Sequence, residues 1–139
     1  MFLIKNHVGL HGKISNMLQN MLLIGAGGFL GSVLRYGSNQ MMVKLLETTH
    51  PIGTFFVNIA GSFLIGLILG MFEKGALLST NWKLFLAVGF CGGFTTFSAF
   101  ALENLNFLQS QQFGLSLFYV GLSLIVGLAA VYFGFWLTK

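Results

Sequence analysis

The sequence predicts an all-α membrane protein with four transmembrane helices, and three observations lead there. The chain has 139 residues, of which 55% are hydrophobic and 7% charged. A soluble domain is about 25% charged, so this chain lacks the polar groups to cover a folded surface in water. Its apolar residues fall into four runs, each near the ~20 residues that a hydrocarbon core demands of a helix. It also carries 19 glycines, a residue more frequent in membrane helices than in soluble ones.

Residues 1–20, MFLIKNHVGLHGKISNMLQN, form a leader without the continuous apolar centre of a signal peptide. Two readings stay open for it: a short interfacial helix, or an over-long start, because Met17 and Met21 lie just before the first span. The transmembrane domain is residues 21–137. Span one runs from about Met21 to Leu46, and span two from about Ile52 to Phe72, with Pro51 at its start, where proline is tolerated. Span three runs from about Trp82 to Leu108 and span four from about Phe113 to Leu137. The connections EKGALLSTN and QSQQ are short and polar, which makes neighbouring helices antiparallel. Four spans put both termini on one side with Lys5, Lys13, Lys74, Lys83 and Lys139, and leave Lys44 on the other. The positive-inside rule then places the termini in the cytoplasm of a cell that inserts the chain in its inner membrane. Without the leader the bias falls to three lysines against one, thin enough to allow insertion both ways.

The composition excludes several classes of function. No cluster of Lys and Arg offers a nucleic-acid surface. One cysteine, Cys91, allows no intrachain disulfide and reads as a small buried residue. His7, His11 and His50 lie outside the apolar runs and the chain has no aspartate, so no span holds a nucleophile with its base; the protein is not expected to be an enzyme. GAGGFLG at Gly25–Gly31 imitates a dinucleotide loop but lacks the βαβ context. It reads as helix packing: Gly27 with Gly31, Gly66 with Gly70 and Gly89 with Gly93 are GxxxG pairs that let backbones approach in lipid. In so small a chain, some of these faces are expected to meet a second subunit.

The polar residues inside the spans are the candidates for function. Arg35, in SVLRYGSNQ, is a cation inside or near the end of span one, where charge is costly and functional by default. It favours an anionic ligand, and snorkelling to the interface is the plainer alternative. Small four-span multidrug exporters need a carboxylate in that span, and none is present. Asn58, in TFFVNIAGSF, brings a carboxamide deep into span two, with Ser62 one turn away; an interhelical hydrogen bond is the plain reading. Tyr119 and Ser123 share a face of span four. Glu103 is the acid inside a span: it holds a proton, contacts the solute path, or simply reaches the membrane edge.

Span three is the least regular. In GFCGGFTTFSAF, Gly92, Gly93, Thr95 and Thr96 are expected to interrupt the helix. Backbone groups freed inside a membrane need partners in protein, water or ions, and broken helices in transport proteins use helix N-termini for anions and unwound carbonyls for cations. Phe97 and Phe100 follow at i,i+3 on one face. A phenyl edge is positive, so two edges can favour a small anion without fixed charge; plain packing is the competing account.

GGFLGSVLRYGSNQ, GTFFVNIAGSFLIG and GFCGGFTTFSAFALE, in that order, resemble the signatures of the Fluc fluoride channels, also called the CrcB family, and the resemblance covers roughly residues 21–137. It implies a passive fluoride-selective channel that lets toxic cytoplasmic fluoride out, built as a dual-topology antiparallel homodimer with two pores. It implies that Asn58, Phe97 and Phe100 line the fluoride path, that Arg35 stands in the vestibule, and that Tyr119 and Ser123 form a polar track. Ser98, Thr96 and Glu103 join the expected path. The resemblance also implies a central structural sodium held by backbone carbonyls, here those of Gly92 and Thr95. The family often reads TTFSTF where this chain has TTFSAF, so Ala99 removes one hydroxyl near Phe100. A coupled carrier, exchanging fluoride for protons or exporting another small solute, is the alternative; current without a proton gradient separates the two.

Overall fold

A computed structural model describes residues 2–46, 51–75 and 79–139. All regular structure among them is helical. Helix α1 runs Phe2–Leu46 and α2 runs Ile52–Glu73. The third span is composite: α3 (Thr80–Lys83), a π-helical stretch Leu84–Cys91, α4 (Gly92–Phe94) and α5 (Phe97–Gln109). Helix α6 runs Phe113–Thr138. Among the described residues, four segments are long and apolar enough to cross a membrane: Lys13–Leu45, Ile52–Glu73, Thr80–Gln109 and Phe113–Thr138. At about 1.5 Å per residue, α1 is far longer than a hydrocarbon core of roughly 30 Å requires. It begins upstream of Met21, so the leader from Phe2 onward continues the first span as one helix.

The helices pack as two tight pairs, α1 on the third span and α2 on α6, with lighter contact between them. Glycine makes both pairs. A Cβ at Gly27 or Gly31 would fall on the Phe85 or Phe90 carbonyl, and one at Gly89 would lie 2.7 Å from the Ile24 carbonyl oxygen. A Cβ at Gly93 would strike the Gly28 carbonyl. In the second pair, Gly66 meets the Val131 carbonyl and Gly134 meets that of Phe63. The expectation that these glycine faces reach a second subunit is therefore corrected: each of the three GxxxG pairs is used inside the chain. The GAGGFLG run lies within α1, with no strand before it, as packing requires.

Large apolar side chains point outward, among them Phe29, Leu117, Ile125 and Leu128. Among the described residues, the buried hydrophobic ones are Val57, Ala87, Cys91 and Tyr119. That inversion of the soluble pattern is what lipid as solvent permits.

The third span leaves the helix at Thr95 and Thr96, whose φ, ψ values are −82°, 158° and −149°, 116°. Gly92 and Gly93, also expected to interrupt, are helical in α4. Gly93 serves the close approach to α1, while the extended conformation falls to two β-branched residues that adopt it readily. The π-helical run before α4 was not legible in the composition.

Candidate functional site

The residues around the break converge on a cavity of about 480 Å³. Asn58, Thr95, Thr96, Phe97, Phe100 and Ser123 all line it, and Gly92 lies on its wall. Helix α2 contributes Asn58 one turn from Gly61, whose missing side chain leaves room for the Thr95 methyl.

Asn58 closes the break. Its Nδ2 donates to the Thr96 carbonyl at 3.1 Å, and its Oδ1 accepts from the Thr96 N–H at 2.7 Å. One carboxamide thus replaces both helical partners of a residue that has left the helix, inside a span where an orphaned backbone group is expensive. Thr96 is also the N-cap of α5: its Oγ1 accepts from the Ala99 N–H at 3.2 Å and lies 3.2 Å from Ser98 Oγ. Thr95 closes the preceding turn, its N–H and Oγ1 both donating to the Cys91 carbonyl at 3.0 and 2.9 Å.

These bonds have a consequence for two carbonyls. In an unbroken helix Gly92 would accept from the Thr96 N–H, which turns to Asn58 instead. Thr95 would accept from the Ala99 N–H, which is taken by Thr96 Oγ1. Both carbonyls have lost their i+4 donors, while that of Gly93 accepts from Arg35 Nε at 3.1 Å and Ser32 Oγ at 3.4 Å.

Phe97 and Phe100 stand side by side with ring centroids 5.8 Å apart. Phe97 is 79% exposed, so its ring is held by little within the chain. Phe100 leans on Tyr119, centroids 5.1 Å apart. Ser123 lines the cavity, and its Oγ is buried with no hydrogen-bond partner.

Other expected residues lie apart from this cavity. Arg35 is drawn to the Gly93 carbonyl, and Ser98 is exposed beside Thr96. Tyr119 lines a separate apolar cleft of about 310 Å³ with Phe55 and Phe107, and its hydroxyl donates to Glu103 Oε2 at 2.8 Å. Glu103 Oε1 accepts from Thr54 Oγ1 at 2.5 Å. The polar residues thus form two groups, and Tyr119 touches Phe100 with its ring and Glu103 with its hydroxyl.

Sequence reading missed Thr54, Asn104 and Ser116. Asn104 Nδ2 donates to the Phe100 carbonyl at 2.8 Å, and its Oδ1 accepts from Ser116 Oγ at 3.0 Å, which ties α5 to α6. Thr54 had a signal: it stands one turn before Asn58, as Ser62 stands one turn after. Asn104 sits next to Glu103, whose charge drew the attention.

Comparison with known proteins now bears on this arrangement. A family model described as "CrcB-like protein, Camphor Resistance (CrcB)" matches residues 22–135. A protein of Flavobacterium psychrophilum named "Fluoride-specific ion channel FluC" is 45% identical over 122 residues, covering 88% of this chain and 98% of that protein. Relatives bearing the same name in Azobacteroides pseudotrichonymphae and Leptospira interrogans are 41% and 40% identical, covering 88% and 89% of this chain and 98% of each relative.

Proposed function

The chain belongs to the CrcB family, and on that premise we propose that it is a fluoride-selective channel through which toxic cytoplasmic fluoride leaves passively, down its electrochemical gradient. It is a multi-pass membrane protein of a transport family and not an enzyme. The observation that carries the proposal is identity of 40–45% to relatives named for fluoride along nearly their whole length. The cavity lends physical support. Fluoride is small and strongly hydrated, so a path must replace its water with donors that do not trap it. Asn58, Ser123 and two phenylalanines line the cavity without a fixed charge, and α5 begins there with the positive end of its dipole. Tyr119 and Glu103 would continue the path beyond Phe100, with Thr96 and Ser98 at its other end. The test is fluoride efflux from liposomes containing only this purified chain, without a proton gradient. Absence of flux, or flux only when protons move the other way, refutes it.

The working unit of this reading is an antiparallel dual-topology homodimer in the inner membrane, the exposed Phe97 ring and open cavity being completed by the second copy. A single engineered terminal cysteine should be labelled from both sides of the membrane; labelling from one side alone excludes dual topology. A structural sodium ion at the dimer centre fits the Gly92 and Thr95 carbonyls, which are free of helical donors. Sodium would join the two breaks and offset the carbonyl dipoles there. A high-resolution map at high sodium without density between paired breaks would count against it. Arg35 would raise the local potential for anions at the vestibule as well as hold Gly93. Arg35→Lys then keeps most of the flux and Arg35→Glu loses it, with the gap widest at low salt; equal flux in both variants denies the electrostatic role.

A further inference from the structure

Five hydroxyl or amide side chains line the cavity at the break: Asn58, Ser62, Thr95, Thr96 and Ser123. Four of them are engaged or covered. Asn58 holds the Thr96 backbone, Thr95 donates to the Cys91 carbonyl, and Thr96 Oγ1 caps α5. Ser123 Oγ is buried. Ser62 is the exception. A hydroxyl inside a helix can turn back onto the carbonyl one turn earlier, as those of Thr95 and Thr138 do. Among the described residues no hydrogen bond engages the Ser62 hydroxyl, and Ser62 is half-buried on the cavity wall, its oxygen not sealed off as that of Ser123 is.

The packing of α2 on α6 explains why this hydroxyl stays open. On α2, Thr54, Asn58, Ser62 and Gly66 recur every four residues, and on α6 so do Tyr119, Ser123, Gly127 and Val131. The two rows meet: Thr54 and Tyr119 share Glu103, and Gly66 lies against the Val131 carbonyl. Ser62 faces Gly127, where a Cβ would stand 3.9 Å from Ser62 Oγ and 3.8 Å from Ile59 Cδ1. Those are ordinary contacts with side chains, unlike the backbone collisions at Gly66 and Gly134. Alanine would fit in place of Gly127 and suits a helix better than glycine, so packing within the chain does not call for glycine there. A methyl group at that point would lie against the Ser62 hydroxyl. One turn beyond Ser62, Gly66 closes the seam, and Ile65, Leu128 and Val131 line the cavity there. Ser62 is therefore the last hydroxyl of the row on that side.

We propose that Ser62 donates its hydroxyl to the permeating anion one turn from Asn58, and that Gly127 is glycine so that this hydroxyl stays uncovered. The inference rests on the reading of the chain as a fluoride channel. An uncharged donor replaces water around a small anion without trapping it. The test is fluoride efflux from liposomes containing the purified full-length protein, with gel filtration and denaturant midpoints alongside. Ser62→Ala should elute and unfold as the unaltered protein does, because the hydroxyl holds nothing within the chain, and should lose flux severalfold. Ser62→Thr keeps the donor and should restore most of that flux although it adds a methyl group. A packing role gives the opposite order, with alanine tolerated better than threonine. Gly127→Ala should also fold normally and lose flux. Normal flux in Ser62→Ala, or Ser62→Thr falling as far as Ser62→Ala, overturns the proposal while the unaltered protein still conducts. Undiminished flux in Gly127→Ala, a variant that stands by itself if Ser62→Ala does not fold, overturns it too. Absence of flux from the unaltered protein overturns the channel reading, and this inference with it.

Discussion

The α2–α6 pair and the α5 segment are held by opposite means. Of the buried residues in α2, four are glycines and the others are Thr54 and Val57, so that helix meets its neighbours largely backbone to backbone. Of the thirteen residues in α5, Asn104 alone is buried. Helix α5 is attached by polar side chains: Asn58 at its entrance, Glu103 to Thr54 and Tyr119, and Asn104 to Ser116. Glycine contacts cannot adjust, because backbone has nowhere to move. Hydrogen-bonded attachments fix a position while leaving rings such as Phe97 uncovered. The glycine contacts of the scaffold and the proposed conducting surface thus rest on different residues.

The largest effect should come from adding bulk to the scaffold. In Gly134→Leu, the new Cβ meets the Phe63 carbonyl and comes within 3.0 Å of the Leu67 N–H, both backbone groups of α2. Overpacking costs about 1–3 kcal/mol even where side chains can yield, and here none can. The variant is expected to yield little folded protein on gel filtration. A normal elution profile with normal flux would erase the proposed difference between the two regions.

Next in size is the loss of transport without loss of fold. Phe100→Ile removes a ring edge and should cost under about 1.5 kcal/mol in stability, as volume-similar apolar exchanges do. Gel filtration should be unchanged while fluoride flux collapses, with Phe97→Ile similar or less severe. Ala99 sharpens this test, since no hydroxyl stands at that position to compensate. Near-normal flux in both variants would return the two rings to packing.

Asn58 joins the two regions, and its removal should show in both readouts. Asn58→Leu leaves the Thr96 N–H and carbonyl unpaired, at about 1–3 kcal/mol for a buried polar group. Asn58→Asp keeps the acceptor for the N–H and sets a carboxylate oxygen against the Thr96 carbonyl. Both variants should lower the denaturant midpoint and the flux together. Reduced flux at unchanged stability would mean that Asn58 contacts the solute without closing the break.

Much of this division was legible in the sequence, and the reasons differ by region. The glycine pairs are visible because close backbone approach demands one residue type at fixed spacing. Their destination was misread, because spacing on one helix does not say which helix it faces. The row through Gly27, Gly31 and Arg35 shows how it could have been read: a polar residue one turn beyond a glycine pair must share the neighbour, and here both meet the third span. The break was visible in GGFTTFS, but its position was displaced, since glycine signals permissiveness and the extended residues are threonines. The π-helical run left no trace, because LFLAVGFC suits any buried helix. Asn104 was hidden beside the charge of Glu103, and with it its partner Ser116.

The smallest effect concerns that last pair. Ser116 Oγ donates to Asn104 Oδ1 at 3.0 Å in a buried setting, and Asn104 passes the restraint to the Phe100 carbonyl at 2.8 Å. Hydrogen bonds between helices in membranes average about 0.6 kcal/mol and reach roughly 1.7. Ser116→Ala leaves a buried carbonyl oxygen unpaired, so its cost should fall toward the upper part of that range. Asn104→Ala removes both bonds and should cost somewhat more. If the two residues act as one clamp on α5, the double variant loses little beyond Asn104→Ala, because the bond is already gone. Its flux should fall only modestly, since Asn58 still holds the N-terminus of the helix and Glu103 its middle. Unfolding midpoints and liposome efflux on the two single variants and the double variant decide the matter. Strictly additive midpoints would mean that the two side chains contribute independently and do not act as one clamp on α5.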